Sequence, residues 1–235
     1  MQLFKSYFLI SLLLVTYSFC IAQQSNTFQN EINAFKKQDS INPPPLHPIL
    51  FVGSSSFTKW KSINKDFPGY QIVNRGFGGS RLLDVIHFAE ETIFKYHPKQ
   101  IFIYCGENDL AMDSAVTPTI LLERYKTLHK MIRDRLGKKL PVVFVSIKPS
   151  ISRWKLEQTY LATNQIIKTF LSTDKHATFL DVHQPMLDEH NEVLRDIFIE
   201  DKLHMNEKGY AIWIKIIGPQ LLKLKTVTLK SDRLL

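Results

Sequence analysis

The sequence predicts an α/β fold of three layers, α/β/α, around a parallel sheet of about five strands. Two observations predict it. Short apolar runs bounded by turn residues alternate along the chain with longer stretches of helical periodicity. The apolar runs are also continuous, with no alternation of apolar and polar residues, as expected of strands covered on both faces. Ile49-Leu50-Phe51-Val52 is the first such run, after Pro43-Pro44-Pro45 and Pro48 stop anything helical upstream. Tyr70 to Val73, Gln100 to Tyr104, Pro141 to Ile147 and Ala177 to Asp181 follow. Between them, Leu82 to Tyr96 places Leu82, Val85, Ile86, Ala89, Ile93 and Phe94 on one helical face. Similar periodicity runs across Thr119 to Leu136, across Trp154 to Leu171 and from Glu207 to about Leu222, the last opened by Asn206 as N-cap. Gln23 to Asn42 is polar and partly helical in pattern.

Met1 to Ala22 has the n-region, apolar h-region and small-residue end of a secretory signal, with Lys5 its single charge. Its apolar part is short for a membrane span, and Phe19 before Cys20 fits a lipidation signal poorly. The expected organisation is a signal over 1–22, a polar segment over 23–48, one domain over 49–225 and a tail over 226–235. Removing the signal leaves 213 of 235 residues and lowers the formal charge from +8 to +7. It also removes Cys20, so Cys105 is alone and no intramolecular disulfide is expected. No other apolar stretch approaches the roughly 20 residues of a bilayer span, so the mature chain is expected in the periplasm or secreted, without a membrane span.

The composition, 44% apolar and 22% charged, excludes collagen-like, coiled-coil and wholly disordered classes. The positive charge raises a polyanionic partner, but no nucleic-acid motif organises it. Lys223, Lys225, Lys230 and Arg233 cluster toward the C-terminus, where a solvated tail accounts for them.

In parallel α/β sheets ligands gather beyond the carboxyl ends of the strands. After the first strand stands Gly53-Ser54-Ser55-Ser56-Phe57, and after the second Asn74-Arg75-Gly76-Phe77-Gly78-Gly79-Ser80. The glycine spacing is not the G-x-G-x-x-G of dinucleotide sites. The third strand leads into Gly106-Glu107-Asn108-Asp109, where the Asn108 amide is a neutral donor of the kind that stabilises an oxyanion. The last loop holds Asp201-Lys202-Leu203-His204, a spacing that lets a carboxylate orient an imidazole. Each block alone has a plain structural reading as a turn or cap. Their shared placement at strand ends and in the final loop favours a site.

The ordered set resembles the SGNH or GDSL-type serine hydrolases from about Ile49 to Trp213. That family reads Gly-Asp-Ser, a glycine block, Gly-x-Asn-Asp and Asp-x-x-His in this order. The resemblance implies a flavodoxin-like SGNH hydrolase fold, Ser55 as nucleophile, Gly79 and Asn108 as oxyanion donors, His204 as base and Asp201 as its orienting carboxylate. Two positions depart from the pattern: Ser54 stands where the family has Asp, and Lys202 where glycine is common. Histidine is the side chain whose ordinary pKa, about 6.5, suits proton transfer from a serine near neutrality.

The expected function is an exported serine esterase acting on a small-molecule or glycan ester, with O-acetyl carbohydrate and lysophospholipid-like esters as candidate substrates. No cofactor, metal or nucleic acid is expected. The alternative is a catalytically silent glycan-binding module on the same fold. His183, Glu189 and His190 lack metal-ligand spacing and read as solvated. An α/β-hydrolase elbow is disfavoured because Phe57 occupies the final glycine position of G-x-S-x-G. Trp60, Arg75 and Trp154 read as core or rim residues, and Cys105 as a small apolar filler.

Overall fold

A computed structural model describes residues 28–222. The expected signal over 1–22, the whole tail over 226–235 and the basic residues Lys223, Lys225, Lys230 and Arg233 lie outside the described residues. The five strands are β1 (Ile49–Gly53), β2 (Ile72–Gly76), β3 (Gln100–Tyr104), β4 (Val142–Val145) and β5 (Ala177–Leu180), all parallel, in the order β2-β1-β3-β4-β5. The chain steps from β1 to β2 on one side and then crosses to β3 on the other. The crevice beyond the carboxyl ends of β1 and β3 is therefore the topological switch point, where such sheets bind ligands.

Every residue of β1 and β3 is buried, which is why these strands read as unbroken apolar runs. Alternate side chains serve opposite faces. Leu50, Val52, Ile101, Ile103, Val142 and Phe144 join one core, beneath α1 (Gln29–Ile41), α4 (Leu82–His87), α5 (Ala89–Thr92), α7 (Pro118–Leu136) and α8 (Glu157–Leu171). Ile49, Phe51, Phe102, Tyr104, Val143 and Val145 join the other, with α2 (Ser55–Thr58), α3 (Ile63–Asp66) and α9 (Glu207–Ile217). In that second core Phe51 stacks on its register partner Phe102 at 4.6 Å between centroids. Trp60 and Trp213 pack edge to face at 6.1 Å. The three-layer architecture is the expected one.

The boundaries differ most from the sequence reading in three elements. β2 begins later and runs to Gly76, taking Asn74 and Arg75 into the strand. Edge position permits this: Asn74 donates to the Phe57 carbonyl at 2.7 Å, and Arg75 bonds the Tyr96 hydroxyl at 2.6 Å and pairs with Asp39 on α1. The helix expected across Leu82 to Tyr96 breaks at Phe88, whose φ of −96° and ψ of 20° leave the helical range. The final helix stops at Ile217, where Gly218-Pro219 turns the chain. Two caps fix helix starts. Thr117 accepts from the Ile120 N–H at 3.3 Å ahead of Pro118, and Asn206 accepts from the N–H groups of Lys208 (2.9 Å) and Gly209 (3.2 Å).

Candidate active site

β1 ends at Gly53, whose φ of +135° no side chain could share: a Cβ there would sit 2.0 Å from the Tyr104 carbonyl oxygen. The Ser54 N–H donates to that same carbonyl at 2.9 Å, and the chain turns at once into α2. Ser55 is the first residue of this helix, half-buried, with its hydroxyl directed at the last loop. There the Ser55 Oγ lies 2.9 Å from His204 Nε2, across 149 residues of sequence. His204 Nδ1 lies 2.5 Å from Asp201 Oδ2. The other carboxylate oxygen, Oδ1, accepts the N–H groups of Leu203 (2.9 Å) and His204 (2.8 Å). With a carboxylate against Nδ1, that nitrogen carries the proton and Nε2 is free to accept from the serine.

Partial burial would raise the Asp201 pKa, but the bonds from the imidazole and the two backbone N–H groups outweigh it and hold it at about 2. Asp201 is thus ionised at any ordinary pH. The side chain of His204 is 15% exposed and that of Asp201 41%, so the imidazole is the better shielded partner.

Asn108 lies in the first turn of α6 (Glu107–Met112), which follows β3 through Gly106. Its Nδ2 donates to Ser54 Oγ at 2.7 Å and to the Ser80 carbonyl at 3.1 Å, and its Oδ1 accepts from Arg153 at 3.0 Å. Those two acceptors neighbour Ser55 and Gly79 in sequence, so the amide, Ser55 and Gly79 meet at one corner. Gly79 has φ of +83° and open space where a Cβ would stand. Among the described residues, neither the Ser55 N–H nor the Gly79 N–H has a protein acceptor. The glycine turn is held from outside by the Gly78 N–H, which donates to Glu31 of α1 at 3.1 Å.

All five residues singled out in the sequence converge here. Five others gain a role only in the folded chain. Ser54, the departure from Gly-Asp-Ser, holds the Asn108 amide. Glu107, Lys148 and Arg153 form a charged cluster behind Asn108 and the His204 loop. Lys148 follows β4, so the same strand-end rule points to it, but no motif marks it. Asp109, fully buried, accepts from the Leu82 N–H at 3.0 Å and from Arg124 at 2.7 Å, which makes it a structural clamp on the start of α4. One expectation is corrected: His183 is buried, not solvated. Its Nδ1 faces the Ile147 carbonyl at 2.8 Å and its Nε2 faces Glu157 at 2.7 Å, whereas Glu189 and His190 are exposed. Cys105 is a buried filler beside the Ser80 carbonyl.

A cleft of about 330 Å³ is lined by Ile151, Trp154, Glu192, Val193 and Arg195. It adjoins the His204 loop, because the Ser152 N–H donates to the Lys202 carbonyl at 3.1 Å and Arg153 reaches Asn108. Trp154 is 37% exposed.

Comparison with known proteins agrees with this architecture. The GDSL-like lipase/acylhydrolase family profile matches residues 52–212. Among solved structures, a protein of Streptococcus pneumoniae assigned as a platelet activating factor superposes with a TM-score of 0.71 at 19% identity, covering 88% of this chain and 99% of that one. A GDSL-like lipase from Bacteroides thetaiotaomicron gives 0.68 at 18% identity, over 80% and 96% of the two chains. An acetylxylan esterase from Geobacillus stearothermophilus gives 0.58 at 14%, over 77% and 96%. These structures share the fold. No curated protein sequence matches this one. The profile spans most of the chain and takes in the Ser55, Gly79, Asn108, Asp201 and His204 blocks in order, so the chain belongs to the GDSL-like lipase/acylhydrolase family, hydrolases of ester bonds.

Proposed function

We propose that the protein is an exported serine esterase that removes a short acyl group, acetyl above all, from a carbohydrate ester. The observation that carries this reading is the continuous chain from Ser55 Oγ to His204 Nε2 at 2.9 Å and from His204 Nδ1 to Asp201 at 2.5 Å. As Ser55 attacks the ester carbonyl, His204 takes its proton at Nε2 and Asp201 stabilises the imidazolium. The developing oxyanion meets the Ser55 and Gly79 N–H groups and the Asn108 amide, which exchanges its bond to Ser54 for one to the substrate. Each such donor is worth roughly 3 kcal/mol in the transition state. His204 then protonates the departing alcohol, and a water activated at the same Nε2 releases the acyl group from Ser55.

The carbohydrate reading is supported by the Trp154 cleft. The cleft combines a partly exposed indole, which offers apolar surface to a sugar ring, with Glu192 and Arg195, which offer charged partners to its hydroxyls. The likeness of fold to an acetylxylan esterase supports it by analogy. Export is supported by the signal pattern over Met1 to Ala22.

The test is hydrolysis of an acetylated xylooligosaccharide, a small chromogenic acetate and a long-chain acyl ester by wild type and by Ser55→Ala. The two acetates are expected to turn over and the long-chain ester not, with rates falling at least about 10⁴-fold in the variant at unchanged melting temperature. Preference for the long-chain ester would overturn the substrate, and unchanged turnover in Ser55→Ala would overturn the nucleophile.

A further inference from the structure

Behind the site, one buried carboxylate joins a fully buried cation, Lys148, and a partly buried one, Arg153. Glu107 Oε2 accepts the Tyr104 hydroxyl at 2.6 Å. Its Oε1 faces Arg153 Nη1 at 3.2 Å and Lys148 Nζ at 3.6 Å, held by charge and without an aligned hydrogen bond. The Lys148 side chain is 0% exposed, that of Glu107 6% and that of Arg153 18%. Burying an ammonium is costly, and burial indeed pushes the Lys148 pKa down against the pull of Glu107. A methionine of similar length would fill the same space without that cost.

Each cation spends its remaining reach on one half of the site. Arg153 Nη2 donates to Asn108 Oδ1 at 3.0 Å. An asparagine amide rotated by half a turn would set its NH₂ against the guanidinium, so this bond admits only the orientation that sends Nδ2 toward Ser54 and Ser80. Lys148 Nζ donates to the Leu203 carbonyl at 2.7 Å. That carbonyl belongs to the peptide group whose N–H, that of His204, donates to Asp201 at 2.8 Å. The peptide immediately before the imidazole is therefore gripped at both ends.

We propose that Lys148 and Arg153, bridged by Glu107, are positioning residues: Arg153 aims the Asn108 amide at the oxyanion, and Lys148 clamps the Leu203–His204 peptide that carries the imidazole. Neither touches substrate in this account. The cluster couples the two halves of the site, so losing the bridging charge disturbs both. This rests on the esterase reading above for its consequences, but the placement of the Asn108 amide can be read without any turnover.

The experiment compares Arg153→Ala, Asn108→Ala, the double variant, Glu107→Gln and Lys148→Met, using kcat and KM on a small chromogenic acetate, melting temperature, and side-chain amide exchange of Asn108 by ¹⁵N NMR. Asn108→Ala is expected to lower kcat roughly 100-fold, as loss of an oxyanion donor does. Arg153→Ala is expected to lower kcat about tenfold with KM within about twofold, and to add nothing in the Asn108→Ala background, since it acts only through that amide. Arg153→Lys is not expected to restore the rate, because an ammonium lacks the fork that reaches Glu107 and Asn108 together. Glu107→Gln, which keeps the shape, is expected to lower kcat like Arg153→Ala and stands in for Lys148→Met if that variant does not fold. Exchange of the Asn108 side-chain amide is expected to quicken at least about tenfold in Arg153→Ala. Independent, multiplying losses for Arg153→Ala and Asn108→Ala, or unchanged amide exchange, would overturn the positioning role. If wild type and Ser55→Ala were equally inactive on every ester, the esterase reading would fall while the exchange measurement still decided the role of Arg153.

Discussion

Lys202 has φ of +56°, in the left-handed region that costs a side chain about 1–2 kcal/mol. The sequence marked it as a departure from a family position where glycine is common, and the backbone supplies the reason: the Asp201–His204 turn needs that conformation. Lys202→Gly is expected to stabilise the fold by about 0.5–1 kcal/mol, the strain relieved less the extra entropy glycine loses. Thermal unfolding checks this, with an expected rise of about 2 °C and turnover unchanged. Ser54 is the second departure. Its letter in the sequence said only that an acidic side chain was absent, because its role lies in a contact with Asn108, 54 positions away. Ser55, Gly79, Asn108, Asp201 and His204 were legible because each sits in a short motif at a predictable point in the fold. Lys148 and Arg153 were not, since a lysine or arginine in a loop carries no sign of its partners until the fold brings them together.

At the scale of elements, strands covered on both faces were legible from continuous apolar runs, and β1 and β3 match their expected cores almost residue for residue. The apolar pattern places β2 too early because its later residues, Asn74 and Arg75, are polar and find partners only in three dimensions. The break at Phe88 was hidden by an apolar pattern that keeps one face through both short helices. Three elements meet at His183, which joins the end of β4 through the Ile147 carbonyl and the start of α8 through Glu157, just beyond β5. Burial would lower its pKa, but the bonds to Glu157 and to the carbonyl outweigh that and raise it above 6.5. Both ring nitrogens face acceptors, so the folded state favours the imidazolium. A raised folded pKa gives stability that is fully present below the unfolded value and is lost as pH rises through the folded one. Urea unfolding is therefore expected to show stability declining as pH rises above about 6.5, with that component of the slope gone in His183→Gln. A slope identical in the variant would remove His183 as its source.

Across the whole molecule, the sheet order β2-β1-β3-β4-β5 places Ser55 and Asn108 at the switch point, and α9 closes the second core so that the His204 loop lies over Ser55. The formal charge of +8, the one skewed feature of the composition, has no organised role at this site. The cations that matter here are Lys148, fully buried, and Arg153, partly buried, both paired with Glu107. The central claim is that this geometry activates Ser55 above its serine neighbours. Covalent labelling of the intact protein with a fluorophosphonate, mapped by peptide mass, tests it most directly. One adduct per chain is expected, on Ser55, absent in Ser55→Ala and strongly slowed in His204→Ala. No adduct, or one on Ser54 or Ser56, would contradict it.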